Sequence, residues 1–128
     1  MSVFKTIVVG TDGSDRAEEA VEEAAAIAKA TGANAHVVRA VSGPGGDPEG
    51  EGERAAEILR GEGVSEVETH VIRDDPSEAL INAAEEHGAD LIVVGNKGMT
   101  GAQRFLLGSV PNDVGHHANC SVLIARTG

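Results

Sequence analysis

Four glycines, Gly95, Gly98, Gly101 and Gly108, crowd the stretch "GNKGMTGAQRFLLGSVPNDV" between two apolar runs. Glycine loses more chain entropy on folding than any other residue, so a cluster belongs where the backbone takes positive φ or something approaches the main chain closely. The cluster follows "LIVVG" and ends at Ser109, a helix-capping residue type, with Pro111 where a first helical turn accepts proline. That order predicts a helix beginning near Ser109. Free N–H groups at a helix start, with the positive end of the helix dipole, form an anion site, and phosphate is its natural guest. Lys97, between the first glycines and beside Asn96, can reach a phosphate as a point charge. Arg104 could do the same, although a solvated loop arginine explains it equally well.

Spaced glycines alone equally describe a long shaped loop. A second loop tips the balance. "GTDGSD" leaves the first apolar run, and in an open parallel sheet the ligand crevice lies at the carboxyl ends of strands, where strand order reverses. If the first and fourth strands are neighbours, Thr11 and Asp12 face Gly95 and Gly98 across that crevice.

The elements that must position these residues follow from periodicity. Short β-branched runs alternate with stretches of helical period, the pattern of parallel βα units in an α/β fold. The strands read as "FKTIVVG", "AHVVRAV", "VETHVIR", "DLIVVG" and "CSVLIAR". The first and fourth are almost wholly apolar around Ile7 to Val9 and Leu91 to Val94, as central strands covered on both faces are; "VETHVIR" alternates and belongs towards an edge. A first helix carries Ala17, Val21, Ala24 and Ala28 on one face, opens on the capping pair Asp15 and Glu18, and stops near Gly32. A helix after the third strand has Asp75 as cap, Pro76 at its first position, Glu78 completing the box and Gly88 at its end. Between them "SGPGGDPEGEG" reads as an acidic loop leading into a short helix over residues 53–59.

With 128 residues and no internal repeat or long linker, the chain is expected to form one domain spanning residues 1–128. The net charge of -11 disfavours nucleic acid and anionic membranes as partners. No run is long and apolar enough for a bilayer, and "MSVFKTIVVG" lacks signal-peptide features, so a cytoplasmic location is expected. Trp and Tyr are absent and Phe occurs only at positions 4 and 105, which leaves no aromatic walls for a flavin.

Taken together, "VVGTDGSD", "LIVVGNKG", "LLGSVPNDV" and "CSVLIAR" resemble the universal stress protein family over most of the chain. The spacing Gly95, two residues, Gly98, nine residues, Gly108-Ser109 is similar to that family's ATP-binding signature. The resemblance implies an open five-stranded parallel sheet of order 3-2-1-4-5 with helices on both faces, a Rossmann-like sandwich. It implies ATP, with or without Mg2+, in the crevice, and a homodimer formed through the strand Cys120–Arg126. It places Gly95, Gly98, Gly108, Ser109 and Val110 on ribose and phosphates, Asp12 with Thr11 beside the nucleoside, and the Ala40 backbone at adenine. Two departures stand out. Pro111 occupies a position where the family often has Ser or Thr, which removes a hydroxyl and a backbone N–H, and the segment between the second and third strands is short, implying a trimmed second helix. "GSVPN" also resembles family members that favour cyclic AMP; a ligand with one phosphate, cAMP or AMP, needs fewer donors.

The function expected is a nucleotide-regulated stress or signalling module with at most weak ATPase activity. A slow ATP-hydrolysing enzyme is the rival, but Asp12 is the only convincing carboxylate at the crevice and no catalytic set is visible. A phosphate-receiver domain would want clustered acids after the first strand and a lysine after the last, where "CSVLIARTG" offers only Arg126. No metal site is expected: His116 and His117 are adjacent and diverge on a helix, where dipole interaction explains them. His36 and His70 fall in strands and His87 at a helix end, none with a partner at ligand spacing. Cys120 reads as a buried small hydrophobe.

Overall fold

The computed structural model describes residues 3–96 and 104–127. Nine elements alternate along them: β1 (Thr6–Gly10), α1 (Asp15–Thr31), β2 (Asn34–Ala40), α2 (Pro48–Gly61), β3 (Val67–Ile72), α3 (Pro76–His87), β4 (Leu91–Gly95), α4 (Arg104–His117) and β5 (Ser121–Ala125). The strands form one sheet, β3-β2-β1-β4-β5, and every neighbouring pair is parallel. This is the order the family resemblance implies. β3 is an edge strand, and its alternating pattern leaves Glu68, Thr69 and Val71 exposed.

Strand periodicity divides the core in two. Ile7 and Val9 of β1 face α1 and α2, where Val21, Ala24, Ala28, Ala56 and Leu59 complete a fully dehydrated layer with Val37 and Val93. Val8 faces the other way, onto Val38, Ile92, Leu80 and Ala83 of α3, and Val110 and Val114 of α4. Alanine on the inner helix faces lets the helices lie close to the sheet, so branched aliphatic strands fill most of the core, with Phe4 packed against its first layer.

Local chemistry sets the helix ends. α3 starts as expected: Asp75 accepts from the Ser77 and Glu78 N–H groups, Pro76 follows, and Gly88 closes the helix in the left-handed region. α1 is capped one residue earlier than the sequence reading placed it. Ser14 Oγ accepts from Ala17 N–H at 3.2 Å, and Asp15 becomes the first helical residue, where its charge suits the dipole. α2 corrects a larger error. It is a helix of 14 residues, longer than the span 53–59 expected from the sequence. Asp47 accepts from Gly50 N–H and Pro48 takes the first position, the same Asp-Pro start as in α3, and Gly52 lies buried beside Thr69 and Arg39. Two glycines in "PEGEG" favour a loop, but the cap and the packed face outweigh their propensity cost.

α4 also departs from expectation. It begins at Arg104, so Ser109 is not its cap and Pro111 lies in its interior. The run "RFLL" has ordinary helix propensity and carries the helix upstream of the glycine. Proline has no N–H to donate, so the carbonyl of residue 107 lacks the i+4 bond that any other residue at 111 would supply.

Candidate functional site

β1 lies between β2 and β4, and the chain leaves it to one face through α1 while β4 feeds α4 on the other. The carboxyl ends of β1 and β4 therefore flank a switch point, the place where open α/β sheets form a crevice. Thr11 and Asp12 directly follow β1, and Gly95 ends β4. These three sequence-predicted residues come together. Ala40 ends β2, the strand on the other side of β1, and so reaches the same rim.

The β1 loop is held by its own side chains. Thr11, buried, donates its N–H to the Val38 carbonyl at 3.0 Å, and its Oγ1 accepts from Gly13 N–H at 3.1 Å. Asp12 Oδ1 accepts from Ser14 N–H at 2.8 Å. Its other oxygen, Oδ2, is buried without a hydrogen-bond partner. Among the described residues one further buried side-chain oxygen shares that state, Asn34 Oδ1, at the amino end of β2. Gly13 adopts φ +83°, and a Cβ there would lie 2.6 Å from the Glu51 carboxylate.

That contact brings in two residues the sequence reading missed. Arg39 Nε donates to Glu51 Oε1 at 2.8 Å, and Arg39 Nη1 donates to the Ala40 carbonyl. A chain of polar groups thus runs from α2 across the end of β2 to the loop after β1. Glu51 could have been found from the repeated Asp-Pro start that places it in α2's first turn.

On the β4 side, Asn96 N–H donates to the Ala125 carbonyl at 2.9 Å, and Asn96 Oδ1 accepts from the N–H and hydroxyl of Thr127. Asn96 therefore ties β4 to the end of β5. Val110 is buried between the sheet and α3, while Gly108 and Ser109 lie within α4. Lys97 and Gly98 lie outside the described residues.

A second constellation lies away from the crevice. His36 on β2, His70 on β3 and His87 at the end of α3 form one stack, with ring centroids 4.2 to 5.2 Å apart. The sequence reading kept them apart because their separations match no ligand motif; parallel pairing of β2 with β3 and the packing of α3 bring them together. Burial, reinforced by the neighbouring imidazoles, lowers the pKa of His36 below the ordinary histidine value, against the opposing charge of Glu68. His70 is lowered for the same reasons, with Glu68 and Glu86 opposing. Cys120 is half-buried at the start of β5, and burial first, then the Asp90 carboxylate, raises its pKa.

The model of the universal stress protein family matches residues 4–126. The chain belongs to the universal stress protein family. It is 40% identical to universal stress protein Rv1636 of Mycobacterium tuberculosis over 151 aligned positions, which cover 99% of both chains. The crystal structure of protein Rv1636 superposes with a TM-score of 0.71 at 41% identity, covering 100% of this chain and 99% of that one. A universal stress protein in complex with cAMP gives a TM-score of 0.83 at 35% identity, covering 97% and 98%. The protein from Archaeoglobus fulgidus in complex with dAMP gives 0.76 at 31% identity, covering 98% and 99%. Among the described residues no helix is long and apolar enough to cross a membrane.

Proposed function

We propose that this universal stress protein is a single-domain adenine-nucleotide-binding module. The observation that carries the reading is Asp12 Oδ2, buried at the carboxyl end of β1 with no donor. A buried carboxylate oxygen left unpaired is costly, and a nucleoside supplies the missing donors through its ribose hydroxyls or exocyclic amine. The adjoining Ala40 carbonyl and the Gly95, Gly98, Gly108-Ser109 signature agree with a base and phosphates on either side, with Thr11, Lys97 and Val110 completing the set.

The signature favours ATP. A second reading, a monophosphate such as cAMP or AMP, is favoured by the relatives solved with cAMP and dAMP; with Pro111 inside α4, its missing N–H no longer bears on the choice. The module binds and releases nucleotide to change its partners, with at most slow hydrolysis, and works as a cytoplasmic homodimer joined through β5.

Calorimetry with nucleotide-free protein tests this, with ATP·Mg2+ in one titration and cAMP in another. Saturable binding that Gly98→Val, Gly108→Val and Asp12→Ala each abolish is the expected result. Circular dichroism and unfolding midpoints equal to the parent's identify the variants whose loss of binding reports on the site. No binding of either nucleotide, or unchanged affinity in all three variants, defeats the assignment.

A further inference from the structure

His36, His70 and His87 offer ring nitrogens that all lie within 4.8 Å of one another. We propose that these three side chains form a site for a divalent transition-metal ion of the zinc class, with the remaining coordination position open to water or a carboxylate. Imidazole nitrogen suits such ions, whereas Mg2+ prefers oxygen ligands, so this is not a station for the counter-ion of a nucleotide phosphate.

The placement is that of a built cluster. His36 is 8% exposed, and its Nδ1 lies 2.9 Å from His70 Nε2 in a hydrogen bond that needs one ring to give a proton and the other a lone pair. His87 stacks on His36 with centroids 4.2 Å apart, contributed by the last residue of α3. Three imidazoles from two strands and a helix end are brought together, where each alone would sit more cheaply in water. The charges of Glu68 and Glu86 act on His70, which supplies the negative surroundings a cation needs and candidate outer partners for the imidazole N–H groups.

Binding requires a local rearrangement that the side chains allow. Zn–N bonds of about 2.0–2.1 Å hold tetrahedral ligand nitrogens roughly 3.3 Å apart, so the ion replaces the His36–His70 hydrogen bond. The ring planes are now within 15° to 30° of parallel and must turn so that their lone pairs converge. Histidine χ2 wells are broad, and His70 and His87 are only half-buried. The ion would then pin the end of α3 to β2 and β3. His36 pairs with Val8, three residues before Thr11, so the cluster sits about 10 Å along the strand direction from the crevice, at the strand rise of ~3.3 Å per residue. The inference stands independently of the nucleotide reading.

The test uses untagged full-length protein stripped with chelator and titrated with Zn2+ by calorimetry, with Co2+ absorption to report geometry. One ion per chain and a visible d–d spectrum of tetrahedral intensity are expected. His70→Gln and His87→Ala should each weaken Zn2+ binding by more than about tenfold, since even outer partners of metal ligands are worth 10–100-fold. His36→Ala removes a buried side chain and can disturb folding, so the two half-buried positions carry the test. Nucleotide affinity should not change in them, and a His116→Ala/His117→Ala double variant should bind Zn2+ normally. Absence of saturable Zn2+ binding, retention of full affinity in both His70→Gln and His87→Ala, or loss of binding only in the His116/His117 double variant would overturn the proposal.

Discussion

Asn96 Oδ1 accepts two hydrogen bonds from one residue, the backbone N–H of Thr127 at 2.8 Å and its hydroxyl at 3.2 Å. Thr127 is 4% exposed, so the chain end after β5 is fastened beside the root of the signature loop. Asn96→Ala removes both bonds and should cost about 1–3 kcal/mol in urea unfolding, the range for two ordinary hydrogen bonds. It should also loosen the residues after β5 in hydrogen exchange. An unfolding midpoint equal to the parent's, with unchanged exchange there, would show that the contact contributes nothing.

Gly13 and Gly32 offer a controlled pair. Both have positive φ, +83° and +75°, but a Cβ at Gly13 strikes the Glu51 carboxylate whereas one at Gly32 meets nothing within 4 Å. Each alanine variant should lose about 1–2 kcal/mol for left-handed backbone. Gly13→Ala should lose more and, by displacing Glu51 from Arg39, weaken nucleotide binding as well. Adding Glu51→Ala should bring its cost down to that of Gly32→Ala. Equal costs for the two single variants would refute the steric part.

Pro111 tests where α4 begins. Interior proline is about 3 kcal/mol worse than alanine in a helix, while proline in a first turn is tolerated. Pro111 is buried, so Pro111→Ala also trims packed ring atoms at a cost of about 1–3 kcal/mol; with α4 starting at Arg104 the restored helical bond should outweigh that cost and leave a gain of up to about 2 kcal/mol. A net loss, the cost of the trimmed ring alone, would mean that the helix starts close to Ser109 in solution.

Much of this architecture was legible because strand runs and the Asp75-Pro76 start obey local rules. β1 and β4 had to be central, being apolar on both faces, and β3 had to be an edge. The errors have local causes too. Asp47-Pro48 was hidden by Gly50 and Gly52, whose propensity cost is offset by the Asp47 cap on Gly50 N–H and by Gly52 packing beside Arg39 of β2 and Thr69 of β3. The cap of α1 fell on Ser14 because two adjacent residues could both fill that role. Thr11, Asp12 and Gly95 read as the rim of a crevice only if β1 and β4 are neighbours, an order that comes from the family resemblance rather than from periodicity and that the sheet has. The Arg39–Glu51 pair and the histidine stack were not, because they join residues from separate elements and no spacing in the chain encodes them.

Cys120 gives a pH-dependent readout. A free thiol of pKa near 8.5 is about 3% thiolate at pH 7, and only the thiolate attacks iodoacetamide. Burial and the charge of Asp90 both disfavour the Cys120 thiolate. Its alkylation should be slower than that of glutathione at pH 7, and the rise in rate should come at higher pH. Asp90→Asn should shift that rise downward, although it also weakens the bonds Asp90 accepts from Lys5 and Thr6 N–H groups. Alkylation at pH 7 as fast as glutathione's would contradict the placement of the thiol.

The free edge of the sheet at β5 supplies the last prediction. β5 pairs with β4 on one side only, and Ile124 in its middle is 48% exposed. An apolar, unpaired edge invites pairing with another chain, and a second copy across a two-fold axis covers both edges at once. Light scattering after size exclusion should give a dimer at micromolar concentration, and Ile124→Lys, which places a charge in the middle of that strand, should give a monomer of unchanged helical content. A monomeric parent protein would remove the dimer from the proposed function while leaving the crevice untouched, since Thr11, Asp12 and Ala40 all lie on the β1 and β2 side of the sheet, away from β5.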